Sequence, residues 1–155
     1  MTQTLDVPYV PTSYDKLDLM MDFAQIRPGQ KTADLGSGDG RIVIACAKKG
    51  AVAHGFEINK GLINDAKKAI IKEGLGAQAF IHHKNLWDVN LSDFDLVTIY
   101  GLPDIMKRLE EKLKKELRPG AKVVSNAFRF PYWEPVKLHH RVYLYTVNPA
   151  NAIPT

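Results

Sequence analysis

Two carboxylates bracket a glycine loop in the stretch TADLGSGDGRIV, Thr32 to Val43. Asp34 stands two residues before Gly36, and Asp39 lies between Gly38 and Gly40. An apolar run leads into the loop, and a helix-forming run leaves it. Such a junction presents free backbone N–H groups and a helix N-terminus, which suit a phosphate. The acids do not. A carboxylate at Asp34 would oppose a pyrophosphate, and the spacing Gly36-x-Gly38-x-Gly40 departs from the G-x-G-x-x-G of dinucleotide sites. The loop suits a ligand that brings positive charge.

S-adenosylmethionine is such a ligand. It has no phosphate and carries an ammonium and a sulfonium. Asp34 would attract these directly or through water, while the glycines admit the backbone to the methionine part and ribose. Glu57, at the end of the next apolar run, can accept hydrogen bonds from both ribose hydroxyls. A nicotinamide enzyme uses an acid at the same place, so Glu57 alone does not separate the two cofactors. Asp34 does, and the residues favour S-adenosylmethionine.

The elements that must hold these side chains alternate between strand and helix patterns. Thr12 reads as the cap of a first helix, with Asp15 completing a capping box and Leu17, Met20, Met21 and Ala24 on one face. Pro28-Gly29 ends it. A strand over Lys31–Leu35 precedes the glycine loop, and a helix runs from Asp39, its expected cap, to about Lys49. Val52–Glu57 is a second strand. Asn59 caps a helix to Gly74 with Leu62, Ile63, Ala66, Ala69 and Ile70 inward. Gln78–His83 and Phe94–Tyr100 are further strands. The helix after Pro103 buries Ile105, Met106, Leu109, Leu113 and Leu117, with Glu110/Lys114 and Glu111/Lys115 pairs on its outer face. Ala121–Phe128 is a fifth strand. Val136–Leu138 and Arg141–Val147 form an antiparallel hairpin at one side of the sheet. The pattern is α/β: a doubly wound, Rossmann-like, mostly parallel sheet with a C-terminal antiparallel hairpin, in one domain over residues 1–155. Ligands of such sheets bind at the carboxyl ends of the strands, where the glycine loop, Glu57, Asn85 and Tyr100 all fall.

With 155 residues, 45% hydrophobic and 25% charged, the chain fits one globular domain. Its net charge of +4 is spread along amphipathic helices, which favours a solvated surface over a nucleic-acid footprint. A single cysteine, Cys46, excludes an intramolecular disulfide and reads as a small core residue. No secretory signal or membrane-length apolar run is visible, so the expected location is cytoplasmic, with no obligate oligomer indicated. His82-His83 and His139-His140 do not read as metal sites, because neighbours in a strand point to opposite faces. No metal is expected.

The stretch Asp34-Leu-Gly-Ser-Gly-Asp-Gly-Arg41 resembles the cofactor motif of class I, seven-strand methyltransferases. VPYVPTSYDKLDLMM (Val7–Met21), LRPGAKVVSNAFRFPYWEP (Leu117–Pro135) and VYLYTV (Val142–Val147) resemble one small group within that class. The group comprises short archaeal protein-lysine methyltransferases, bacterial relatives and the mitochondrial lysine methyltransferases that modify the c-ring protein of ATP synthase. The resemblance covers about residues 7–147. It implies that Asp34, Gly36, Ser37 and Gly38 contact the methionine part, that Glu57 holds the ribose, and that Ile58, Asn85 and Leu86 surround the adenine. It further implies that the segment from residue 7, with Tyr9 and Thr12, folds over the cofactor, and that residues 1–30 cover the site. The group often has His-Glu or His-Asp where this chain has Asn126-Ala127, a departure on the side from which substrate approaches.

The expected substrate is a lysine on a protein. Its amine must be neutral to attack in line, and at pH 7 that costs roughly 4–5 kcal/mol. No dedicated base stands out. Tyr100 and Asn126 are the expected polar guides in catalysis, and Phe128, Tyr132 and Trp133 the aromatic walls of a substrate channel. Phe128, Tyr132 and Trp133 read equally well as packing residues. Three rival functions share parts of this pattern: a methyltransferase for RNA or a small molecule, a non-catalytic cofactor- or nucleic-acid-binding module, and a nicotinamide-dependent oxidoreductase. The fourth strand ends Tyr100-Gly101-Leu102-Pro103, without the Asn-Pro-Pro-Tyr type motif of amino-group nucleic-acid methyltransferases.

Overall fold

A computed structural model describes residues 11–101 and 103–147. Its elements follow the expected alternation: α1 (Tyr14–Ala24), β1 (Lys31–Leu35), α2 (Arg41–Lys48), β2 (Val52–Glu57), α3 (Lys60–Lys72), β3 (Ala79–His83), β4 (Leu96–Tyr100), α4 (Pro103–Glu116), β5 (Lys122–Asn126), β6 (Lys137–His139) and β7 (Val142–Thr146). The sheet order is β3-β2-β1-β4-β5-β7-β6. The first five strands are parallel, β7 runs antiparallel to β5, and β6 antiparallel to β7.

Alternation along the strands builds two cores. Leu96 and Val124 face the layer of α1, α2 and α3, with Met20, Val43, Ala66 and Ile70. Val97, Ile99 and Val123 face α4 and the loops before and after it, with Leu109, Leu113, Phe130 and Tyr145. Pro103 opens α4, where its missing N–H is no loss.

Three local expectations are corrected. Ser13, not Thr12, caps α1, its hydroxyl accepting from the Lys16 N–H at 3.3 Å. Thr12 is drawn inward and buried; its carbonyl accepts from Arg41 Nη1 at 2.8 Å. Nor does Asp39 cap α2. The helix begins at Arg41 behind Gly40, which has φ 86°, and the Asp39 carboxylate is held by the Arg41 guanidinium at 2.6 Å. A side chain at position 40 would be strained by that φ, and its Cβ would lie 2.9 Å from the Ala66 Cβ. The third correction is Glu110. It is not on the outer face of α4 but buried, at 4% exposure. One oxygen pairs with Lys114 Nζ at 2.7 Å, and the other accepts from the Tyr132 N–H at 2.9 Å. The acid therefore pins the FRFPYW segment to α4.

The hairpin turn consists of His140 and Arg141, with φ 47° and 62°. Both are left-handed, as a two-residue turn of the I′ kind requires, yet neither is glycine.

Glu110→Ala would leave the Tyr132 N–H and the Lys114 ammonium without their carboxylate. It should lower unfolding free energy by about 1–3 kcal/mol, read as a shift of the denaturant midpoint. An outer-face residue would show almost no change.

Candidate cofactor site and active centre

The chain leaves β1 towards β2 and returns to β4 on its other side, so a crevice opens at the carboxyl ends of β1 and β4. Asp34 on β1 lies opposite Thr98 on β4. The Thr98 hydroxyl donates to Asp34 Oδ1 at 2.8 Å. Asp34 is buried, and its pKa is pushed up to about 7. Burial is the main cause; the Thr98 hydrogen bond works against it, while the charges of Glu57 and Asp39 add to it. A cation placed here would reverse that penalty.

Glu57 closes β2 and is buried at 6% exposure. Its Oε1 accepts from the Gly38 N–H at 2.8 Å, and its Oε2 from the N–H groups of Ile58 and Asn59, both at 3.0 Å. The acid thus clamps the glycine loop and the start of α3 together. A carboxylate offers about four acceptor positions, so room remains for a further donor. This bracing role was not read from the sequence. Its signal lay there in Asn59, which marks the start of the next helix just after the acid.

Ser37 is buried, and its hydroxyl has no hydrogen-bond partner among the described residues. It rests on Gly55, where a Cβ would come within 2.7 Å of Ser37 Oγ and 2.8 Å of a Val43 methyl. A buried hydroxyl without a partner is unfavourable, and a ligand atom at this position would satisfy it. Gly36 and Gly38 both have positive φ, which turns the loop over the strand end. Asn85 Oδ1 accepts from the Trp87 N–H at 3.0 Å and starts a 3-10 turn, Leu86–Asp88. Leu86 itself packs into the core, and Ile58 is half-buried beside Glu57.

A cleft of about 240 Å³ brings Thr12, Tyr100 and Asn126 together, joined by Lys16, Ala127 and Arg141. Asn126 Nδ2 donates to Thr12 Oγ1 at 3.5 Å. Tyr100 and Asn126 are register partners on β4 and β5. Tyr9 lies outside the described residues. A larger open groove, about 730 Å³, runs between α1 and α2 and shares none of these side chains.

The expected aromatic channel is not assembled as a unit. Phe128 is half-buried near the cleft, with the Arg141 guanidinium 5.5 Å from its ring centre. Tyr132 is 75% exposed, on the segment that Glu110 holds. Trp133 is core: its ring packs 5.7 Å from Phe130 and 5.0 Å from Tyr145, and burial removes it from any substrate path.

Among the described residues, no three His, Cys, Asp or Glu side chains are grouped to hold a metal ion. A cross-strand contact escaped the sequence reading, which considered histidines only along one strand. His54 Nδ1 and His82 Nε2 lie 2.8 Å apart on β2 and β3. Cys46 is buried, and burial pushes its thiol up to about 12, so it stays protonated.

The sequence matches the ANTKMT methyltransferase domain over residues 34–137. The chain belongs to this methyltransferase family. It is 38% identical over 151 residues to a protein-lysine N-methyltransferase of Saccharolobus islandicus, covering 91% of this chain and 94% of that one. It is 40% identical over 149 residues to the adenine nucleotide translocase lysine N-methyltransferase of Mus musculus, covering 93% of this chain. The chain spans only 65% of the length of that mouse relative. Among solved structures, an RNA methyltransferase from Salinibacter ruber in complex with S-adenosyl-L-homocysteine is 33% identical, with a TM-score of 0.86 over 90% of this chain and 95% of that one.

S-adenosylmethionine is the cofactor of this family, and the site fits it. The unpartnered Ser37 hydroxyl and the buried Asp34 provide a hydrogen-bonding group and a counter-charge for the methionine part, and Glu57 retains acceptor capacity for ribose. Since a cation favours ionised Asp34, cofactor affinity should fall on acidification below about pH 7. The limiting slope is about tenfold per pH unit. Asp34→Asn should weaken binding and abolish that slope in calorimetric titrations.

The same shift has a stability sign. The folded pKa of Asp34 exceeds its unfolded value, so this group destabilises the cofactor-free fold as pH rises from about 4 to about 7. Asp34→Asn should therefore raise the melting temperature of the cofactor-free protein at pH 8 while lowering the gain on adding cofactor. A melting temperature lowered by the substitution would contradict the assigned burial penalty.

Proposed function

We propose that this chain transfers the methyl group of S-adenosylmethionine to lysine side chains of protein. The observation that carries the reading is the pairing of two sites. A buried acid that needs a cation sits at the carboxyl end of β1, and a cleft lined by Thr12, Tyr100 and Asn126 opens at the ends of β4 and β5. Relatives whose names specify lysine N-methylation, one of them covered over 94% of its length, support the substrate class.

When bound, S-adenosylmethionine supplies an electrophilic methyl group on sulfur. The protein's task is to hold an amine in line with it. Tyr100 and Asn126 orient the amine from adjacent strand ends, and Thr12 fixes the Asn126 amide. No carboxylate or histidine lines the cleft among the described residues. The amine proton leaves to water before transfer, and the remaining work is positioning in a partly desolvated cleft.

One observation favours a second reading. The Salinibacter ruber relative is named an RNA methyltransferase. The two are separated by following labelled methyl from S-adenosylmethionine into lysate from the source cell, treated with protease or with ribonuclease. Label in protease-sensitive bands, found on lysine by mass spectrometry, is the expected outcome. Label removed only by ribonuclease would move the substrate to RNA and leave the cofactor site unchanged.

Tyr100→Phe should lower kcat roughly tenfold or more, with the cofactor Kd unchanged within about twofold. Unchanged turnover would remove the Tyr100 hydroxyl from the reaction.

A further inference from the structure

The mouth of the cleft has a charge pattern that the transfer reaction does not itself require. Lys16 and Arg141 are the charged side chains lining it among the described residues. Both spend their hydrogen bonds on neutral backbone carbonyls. Lys16 Nζ donates to the His140 carbonyl, and the Arg141 Nε and Nη2 donate to the Ala127 carbonyl at 3.3 and 3.1 Å. Neither forms an ion pair with a carboxylate among the described residues, whereas Arg41, Lys48, Lys112, Lys114, Arg118 and Arg129 all do.

Lys16 is carried by the regular helix α1, whereas the backbone that carries Arg141 is in an uncommon conformation. Four described non-glycine residues have positive φ, and three of them, Ala127 at 86°, His140 at 47° and Arg141 at 62°, meet at this mouth. The Ala127 N–H donates to the Arg141 carbonyl at 2.7 Å, so the strained segments brace each other. Left-handed non-glycine residues are unfavourable; the two-residue turn requires that conformation of His140 and Arg141, and Ala127 shares it beside them. Holding two unpaired cations close together is a second unfavourable feature. Burial and the Arg141 charge both lower the Lys16 pKa.

We propose that Lys16 and Arg141 select a lysine that has an acidic residue within about two positions of it in the substrate chain. This deepens the protein-lysine reading and rests on it. A bare ammonium approaching the cleft meets two like charges. A neighbouring carboxylate removes that repulsion and fills the pairing capacity both cations leave unused. The planar guanidinium of Arg141 presents parallel N–H groups that fit a carboxylate. Phosphate along a nucleic acid would fit less well, because a nucleic-acid track engages many phosphates over an extended basic face. Here two cations stand at one opening.

The test compares three peptides with one central lysine, flanked by aspartate, asparagine or lysine, as substrates for the wild-type chain and for Lys16→Gln, Arg141→Gln and Arg141→Glu. Wild type should prefer the aspartate peptide over the asparagine peptide in kcat/KM by roughly threefold or more at low salt, with the preference shrinking as salt rises. Each glutamine variant should flatten the series. Arg141→Glu should reverse it towards the lysine-flanked peptide, a gain that an unfolded variant cannot produce. Cofactor Kd should be the same in all four proteins. Methylation of all three wild-type peptides at equal rates, or an aspartate preference that survives Arg141→Glu, would overturn this inference and leave lysine methylation standing. Methylation of RNA with none of the peptides labelled would overturn both.

Discussion

Everything at the carboxyl edge of the sheet is organised around an acid that the fold alone leaves uncompensated. Asp34 is buried with a single side-chain hydrogen bond, from Thr98, and with two further carboxylates close enough to raise its pKa. Burying a carboxylate without a counter-charge is unfavourable, and proteins neutralise such a group or pair it. No cation is among the groups that shift Asp34, and the guanidinium of Arg41, at the start of α2, is held by Asp39 and by the Thr12 carbonyl. The penalty therefore persists until a cation arrives. Affinity for S-adenosylmethionine is in this sense stored in the fold: the ligand gains by relieving a cost that the strand has already incurred.

That storage demands a rigid frame, since a mobile loop would let water reach the acid. Glu57 supplies the frame by tying Gly38 to the first N–H groups after β2. Gly55 allows Ser37 to lie directly on β2, and Gly40 allows α2 to start against Ala66. Two buried acids a strand apart divide the labour. Asp34 supplies unsatisfied charge, while Glu57 spends most of its acceptors on bracing and keeps part for the ligand.

The strands and helices were legible because their apolar periods are long and punctuated by Pro-Gly pairs. Asp34 stood out because a carboxylate at a strand end before glycines contradicts a phosphate site, and Glu57 stood out only as an acid closing the next strand. Asp39 was misplaced by a neighbour: its carboxylate accepts from the Arg41 N–H and guanidinium two positions on, and Gly40 takes the cap position. For the other misplaced residues the pattern was local and the deciding contact was not. Thr12 has good capping chemistry, but Arg41, on the following helix, claims its carbonyl. Glu110 sits at the right distance from Lys114 for a surface pair, yet the Tyr132 N–H, 22 positions away, draws it into the core. Trp133 has the composition of a channel wall and the position of a core residue, because Phe130 and Tyr145 close around it. No local pattern specifies contacts between segments so far apart.

Charge differs between the two sites. The crevice at the ends of β1 and β2 is acidic, through the buried Asp34 and Glu57, and the cleft at the ends of β4 and β5 is cationic, through Lys16 and Arg141. Burial, and after it the charge of the Arg141 guanidinium, lower the pKa of Lys16 in this cleft. The acids lie behind a glycine loop braced by its own hydrogen bonds, and the cofactor's positive charge would compensate Asp34 when it binds there. The left-handed backbone at His140 and Arg141 is what a two-residue turn of the I′ kind requires, and that turn carries the guanidinium whose Nε and Nη2 donate to the Ala127 carbonyl.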